Sequence, residues 1–566
     1  MKKTTPSLVI LLLTFLLTRS VSFAQYNEVW IPPIQDASSY NLNIYDTIKQ
    51  LVPTGNQTVT IGINGDFWGP TLVLHQGQNV QMNVTNYLND STTVHWHGMH
   101  LPAVMDGGPH QVIPPGSTWS PYWTVNNRAG FYWYHPHLHS MTAEQILKGM
   151  GGFLIVQDAE ESALNLPRTY GSDDFPLVLT SRKFSSSNQI VLTDAYGDYM
   201  LVNGTRNPKL TIPKQLVRLR ILNVENERGF DLGFSDNRNF TIIANDGGLL
   251  NAPMTVNRVK LMVGERIEIL VDLSNETIGS TLELMAYNAN QAFGFPGGEP
   301  NTTGAFGSLL NNTNFNVLHL VIGNPTQTPV VGIPSVLSNQ TYWTESQATV
   351  NRSIQVTGGQ PGIPFTLNNS SFALNTINYH VQLDDVEKWT LVNNQIFGHS
   401  FHIHDVQFKI TSRNGSAANV GSHEQGWKDV VYLPRNENVT FVCKFNDYSD
   451  ALHPFMYHCH FGQHEDGGMM GQFVVDQTNS LSELAVEKLI LKPNPVEDKL
   501  FLIGLDDPEQ VYYIRIFDQL GRTMYMLPKP NLTNGIDVSK LPSGNYLLEL
   551  TDQQTKSIHK LRFIKK

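Results

Sequence analysis

Cysteine is nearly absent: Cys443 and Cys459 are the only two in 566 residues. A disulfide framework is therefore excluded, and at most one bridge can form. Charge is sparse, at 15% of residues, with a net balance of -11. No stripe of Lys and Arg runs along the chain, which argues against a nucleic-acid partner. Long apolar runs are missing too, apart from Leu8 to Leu17, and that run is too short to span a bilayer comfortably. Stretches of helical period are few; Glu144 to Met150 reads as one short helix. Against these absences stand 44 glycines, 31 prolines and many short alternating runs, the pattern of a strand-rich fold with many turns.

Lys2 and Lys3 precede the N-terminal apolar run, and Ser22-Phe23-Ala24 places small residues where a signal peptidase cuts. Residues 1–24 are thus expected to be a signal peptide. No cysteine follows the cut to take a lipid anchor, and no other transmembrane candidate exists.

A weak repeat organises the rest. Val80 to Asn86, Val217 to Asn223 and Glu387 to Asn393 are each a period-two strand ending in Asn. Such wide separations imply three related β-domains: one from about Gln25 to Glu160, a second to Asn324, and a third, after the Pro325 to Pro334 connection, ending near Asp476. The second holds almost no histidine and reads as a structural spacer. Arg266 to Val271 and Gly471 to Val475 also read as strands.

Ten of the nineteen histidines fall in four short clusters. They are His95-Trp96-His97, His135-Pro136-His137, His399-Ser400-Phe401-His402-Ile403-His404, and His458-Cys459-His460 followed by His464 and Met469. Two clusters lie in the first domain and two in the third. Residues two apart on a strand share a face, so His-x-His presents two imidazoles to one side. Imidazole suits copper, and thiolate with a long axial thioether suits a blue-copper electron-transfer site. In His458-Cys459-His460 the thiolate points away from its neighbours. It can hold one metal while both histidines hold others. An exported protein with two cysteines ordinarily forms a disulfide. Cys459 between two histidines suits a metal better, and Cys443 reads as an inert thiol on the apolar face of a strand.

With these motifs in order, residues 25 to about 476 resemble a three-domain multicopper oxidase, the family of laccases, bilirubin oxidases and bacterial cuprous oxidases. The resemblance implies an all-β fold of three cupredoxin-like Greek-key barrel or sandwich domains and four copper ions. It implies that His399, Cys459 and His464 hold a type 1 copper with Met469 as weak axial ligand, spacing from His464 favouring it over Met470. It implies that His95 and His402 hold a type 2 copper, and His97, His135, His137, His404, His458 and His460 a type 3 pair. Asp106 and Glu465 match positions where bacterial members place carboxylates that relay protons; otherwise they would be a solvated turn Asp and a surface Glu. His100, His110, His139 and His453 fall outside the ligand set.

The implied activity is one-electron oxidation of a small reducing substrate, coupled to four-electron reduction of O₂ to water. Met469 as axial ligand predicts a type 1 potential low in the family's range, which suits phenolic and similar donors. Cuprous oxidases use a methionine-rich insertion, because thioethers select Cu(I); residues 351–400 contain no methionine. Oxidation of Cu(I) in copper tolerance and a non-enzymatic copper or electron carrier are the alternatives, and a copper nitrite reductase would not need eight further histidines.

Lys492-Pro493-Asn494-Pro495, Tyr513 to Asp518, Gly521-Arg522 and Leu541 to Tyr546 make residues 485–566 resemble the type A C-terminal sorting domain of type IX secretion. That implies a small β-sandwich, the secretion machinery as partner, and export through the periplasm to the outside in the manner of Bacteroidetes. An ordinary appended β-module for binding or oligomerisation, or a surface adhesin, is the alternative reading for this module.

Overall fold

A computed structural model describes residues 26–300, 304–360, 362–477, 489–504, 512–518, 522–552 and 558–566. The expected signal peptide lies outside the described residues, as does Gly521 of the C-terminal motif. Strands dominate, and the chain divides into two compact units at Thr478/Asn479. No helix among the described residues is long and apolar enough to cross a membrane.

The larger unit contains three β-sandwiches, each two sheets closed over its own apolar core. Leu42, Leu72, Met82, Trp96 and Leu154 lie in the first core, Leu177, Leu219, Ile269 and Leu320 in the second, and Trp389, Phe401, Phe441 and Phe473 in the third. The architecture is the cupredoxin-like one expected. Asn27–Glu28 pairs in parallel with Pro208–Lys209, so the start of the described chain adds to a sheet of the second sandwich.

The weak repeat has a common physical cause. Its three copies lie in the strands Asn79–Asn86, Leu216–Asn223 and Val386–Asn393, whose final asparagines are all buried. In each, the side-chain oxygen accepts the backbone N–H two residues on: Leu88, Glu225 and Gln395. The amide NH₂ then donates to carbonyls of the following turn and of another segment: Asp90 and Ile113, Arg228 and Leu261, Phe397 and Leu433. The residue ends the strand and ties the turn after it. Burial forbids leaving such groups unpaired, so the asparagine recurs where the surrounding sequence has drifted.

Two adjacent strands in the first sandwich, and two in the third, carry the histidine motifs. His95–His97 runs antiparallel to Gly130–His135, with His97 opposite Trp133 and His95 opposite His135. His399–Ile403 runs antiparallel to Asp450–Cys459, with Phe401 opposite Cys459 and His402 opposite His458. The expected short helix is Thr142–Leu147. The carboxylate of Asp466 accepts the N–H groups of Thr142 and Ala143 at its first turn, tying the third sandwich to the first. Arg266–Asp272 and Met470–Asp476 are strands, as the alternation predicts.

The smaller unit has its own core, including Val496, Ile514, Leu548 and Phe563. A three-stranded and a four-stranded sheet make it up, the latter from Thr523–Pro528, Tyr512–Phe517, Gly544–Asp552 and Ile558–Lys565. Both cysteines are free. Cys443 sits in the third core, where burial holds its thiol well above the usual range, as its strand position implies.

Candidate metal centre

Among the described residues five groups of facing ligand atoms form in the larger unit, four of them from histidine and cysteine alone and a fifth from His95, Asp106 and His404. Cys459 Sγ lies 3.7 Å from His399 Nδ1 and 3.7 Å from His464 Nδ1. His97, His135 and His460 form a second group, with His97 Nδ1 3.3 Å from His135 Nε2 and 3.2 Å from His460 Nε2. His137, His404 and His458 form a third, with His458 Nε2 3.1 Å from His137 Nε2 and 3.4 Å from His404 Nε2. His95 and His402 approach in a fourth, which they share with His97. The Nε2 atoms of His95 and His402 are buried without a hydrogen-bond partner.

These residues fit copper on two observations. A metal about 2.0 Å from imidazole nitrogen and about 2.3 Å from thiolate imposes N···N edges of about 3.3 to 3.5 Å and N···S edges of about 3.5 to 3.7 Å between tetrahedral and trigonal angles; the N···N spacings present are 3.1 to 3.4 Å and the N···S spacings 3.7 Å. The second is protonation. The outer nitrogen of each of six rings faces an oxygen acceptor: His95 Nδ1 and Asp106 O, His97 Nε2 and Asp429 Oδ1, His135 Nδ1 and Pro136 O, His402 Nδ1 and Asp429 O, His404 Nδ1 and Asp106 Oδ2, His458 Nδ1 and Cys459 O. Oxygen acceptors draw the ring proton outward. The inner nitrogens are then bare lone pairs aimed at one another, and a bound cation relieves their repulsion.

Burial disfavours the alternative of charging the rings. It holds His97, His135, His399, His402 and His404 well below the usual imidazole range, with neighbouring imidazoles adding to the effect. It pushes His137, His460 and His464 down to about 3. Burial likewise pushes the Cys459 thiol up to about 12, so metal binding there displaces a proton.

Met469 is buried and lines a small cavity with His399 and Cys459. Met470 faces Phe372 and Met456 instead. The chain reverses faces between the two methionines, so only Met469 lies beside His399 and Cys459. Phe365 packs on both His399 and His464, with ring centroids 4.8 and 4.6 Å away. The side chain of His464 keeps 13% exposure, while His399 is 1% exposed.

Asp106 and Glu465 are 1% and 2% exposed, so neither is a solvated surface acid. Asp106 Oδ2 accepts from His404 Nδ1 at 2.7 Å, and Asp106 Oδ1 lies 3.4 Å from His95 Nδ1. Glu465 sits 3.3 Å from His137 Nδ1 and 3.2 Å from His458 Nδ1. Burial works against its charge, but the imidazoles of His137 and His458 hold its carboxyl below the usual range. His100 is clasped between Asp405 and Asp447, His110 reaches Gln472, His453 pairs with Asp450, and His139 packs on Phe372. None joins a ligand group.

Three residues at the site escape sequence reasoning. Asp429 accepts from His97 and, through its main chain, from His402. Arg266 and Glu227 come from the second sandwich; Arg266 grips Asp429, and Glu227 Oε1 lies 3.8 Å from His464 Nε2. No local motif marks them.

A thiolate–imidazole site beside a cage of imidazoles shared by two β-sandwiches defines a copper oxidoreductase of the cupredoxin class. Comparison with known proteins agrees. Multicopper oxidase family models match residues 47–161, 178–290 and 345–479. The chain is 32% identical over 465 residues to multicopper oxidase mco of Staphylococcus haemolyticus, covering 79% of this chain and 92% of that protein. It is also 32% identical to cell division protein FtsP of Xenorhabdus nematophila, over 74% of this chain and 86% of that one. Among solved structures, the laccase-like multi-copper oxidase CueO of Ochrobactrum sp. is 30% identical with a TM-score of 0.71, over 79% of this chain and 100% of that chain. The chain belongs to the multicopper oxidase family. Residues 491–565 match the secretion-system C-terminal sorting domain, so the protein also carries a type IX secretion sorting module.

Proposed function

We propose that the protein oxidises phenolic or similar small donors one electron at a time and passes the electrons to O₂, which leaves as water. The observation that carries this reading is the placement of Cys459: its sulfur faces His399 and His464, while His458 and His460, its covalent neighbours, belong to two other imidazole groups. Likeness to a protein named for cell division means that the fold alone does not carry function; the intact ligand geometry does.

In this reading His399, Cys459 and His464 would hold a type 1 copper, with the thioether of Met469 beside them. His95 and His402 would hold a type 2 copper, His97, His135 and His460 one type 3 copper, and His137, His404 and His458 the other. Copper bound there supplies one-electron redox chemistry at the first position and four-electron reduction of O₂ at the other three. The partly exposed edge of His464 is where a donor makes contact, beside Phe365 and Glu227. The peptide joining Cys459 to His458 and His460 gives a covalent route between the positions. Asp106 and Glu465 are the proton holders: each carboxylate already touches the outer nitrogen of a ring that faces the cage, within reach of the protons that water formation consumes.

A phenolic donor is supported by the absence of methionine from residues 351–400 and by the aromatic face of Phe365 at His464. The related Ochrobactrum protein has oxidase activity towards lignin model compounds and lignosulfonate. Domain boundaries near residues 160, 324 and 476, removal of residues 1–24, transit through the periplasm and a Bacteroidetes-like outer surface complete the reading.

Oxygen uptake by copper-loaded protein with a dimethoxyphenol tests it. Four donor molecules should be consumed per O₂ without peroxide release; uptake with Cu(I) alone, or none, would reject the phenol-oxidase reading. Asp106→Asn should slow turnover by about 10- to 100-fold while leaving the blue absorption unchanged. Unchanged turnover would remove Asp106 from proton delivery.

A further inference from the structure

The second sandwich supplies no ligand, yet one of its side chains lies at the junction of all three. Arg266 opens the strand Arg266–Asp272 and is completely buried. A guanidinium has five N–H donors in a fixed fork, and here each has an acceptor. Nε donates to Phe131 O at 3.1 Å, in the first-sandwich strand that ends at His135. Nη1 donates to Gly264 O at 3.1 Å and Nη2 to Asp246 O at 2.9 Å, both in the second sandwich. The remaining two donors form a bidentate pair with Asp429 of the third, at 2.5 and 2.6 Å.

Asp429 in turn governs two cage histidines. Its Oδ1 lies 3.2 Å from His97 Nε2, and its main-chain oxygen 2.7 Å from His402 Nδ1. The surroundings leave no slack. A Cβ on Gly98, which has φ +80°, would meet Asp429 Oδ2 and Arg266 Nη2 within 2.8 Å. Gly264, at φ +85°, lies against the ring of His460, where a Cβ would come within 2.9 Å of Cδ2.

We infer that Arg266 is a positioning residue of the trinuclear site: by fixing Asp429 it sets the ring orientation and the tautomer of His97 and the position of His402, and so couples the second sandwich to a metal cage it does not line. The inference rests on the copper reading above. A buried, fully satisfied fork is the right device, because its plane fixes a carboxylate in both position and rotation, and outer partners of metal-bound histidines govern affinity. Lysine keeps the charge and loses the fork, so Arg266→Lys separates orientation from charge.

The test compares copper-loaded full-length protein with R266K and with R220K. The second removes another buried fork, which pairs with Asp174 and Glu268 inside the second sandwich. Copper content, the blue band and the electron-paramagnetic signal of the type 2 centre are read in each. R266K should keep the blue band per chain, lose trinuclear copper affinity by about 10- to 100-fold against a chelator, and change the type 2 signal. R220K should lower the thermal midpoint and leave all three spectroscopic readings per folded chain unchanged. Should R266K fail to fold, D429N, which preserves volume and removes the charged partner, gives the same reading. Unaltered trinuclear affinity and type 2 signal in the folded variant, or loss of both centres in parallel, would overturn the inference. Wild-type protein that takes up no copper would instead overturn the copper reading itself.

Discussion

Cys459→Ser should abolish the strong absorption near about 600 nm and reduce donor oxidation to background, while the eight-imidazole cage still binds its metal. The substitution changes one atom in a buried position, so packing is preserved. It removes the soft thiolate that His399 and His464 flank at 3.7 Å, and a hydroxyl offers no comparable ligand to copper. The cage histidines reach their metal positions through ring nitrogens that do not contact the sulfur, so three coppers per chain should remain by elemental analysis. A blue band or turnover surviving in this variant would place electron entry elsewhere.

The second large effect is acid sensitivity of the copper-free protein. In the folded state His137, His460 and His464 lie at about 3, against about 6.5 unfolded. Below about 6.5 the unfolded chain therefore binds more protons, so stability is full above that pH and is lost as pH falls. Well below about 6.5 each ring costs about 1.4 kcal/mol per pH unit, and these three together cost about 5 kcal/mol between about pH 6.5 and 5. That equals the whole stability of many domains. His97, His135, His399, His402 and His404 act in the same direction. Thermal midpoints of copper-free protein should fall by about 10 °C or more across that window. Copper-loaded protein should fall much less, because metal binds the folded state and occupies the lone pairs that protons would take. Equal curves for the two forms would mean that the rings are not buried ligands.

The ligands were legible in the sequence because strand geometry is local. Two imidazoles in His95-Trp96-His97 share a face whatever the rest of the chain does. The three-domain plan was legible through Asn86, Asn223 and Asn393, since a buried turn-tying amide resists replacement. The order of Met469 and Met470 was legible only as a preference, because it depends on which way the strand Met470–Asp476 presents its first residue. Asp429 and Arg266 were not legible at all. They meet across 163 residues and belong to different sandwiches, and neither stands in a pattern whose spacing demands a partner. Glu465 follows His464 directly and Asp106 lies nine residues after His97, but their burial, which makes them candidate proton holders rather than surface acids, is a property of the packed interface.

The central claim is that one polypeptide holds four coppers, one at a thiolate and three in a shared cage. An anomalous difference map collected at the copper edge from crystals of the loaded protein tests this most directly. It should show one peak among His399, Cys459 and His464, and three among the eight histidines of the cage. A single peak, or density that follows zinc rather than copper, would contradict the account.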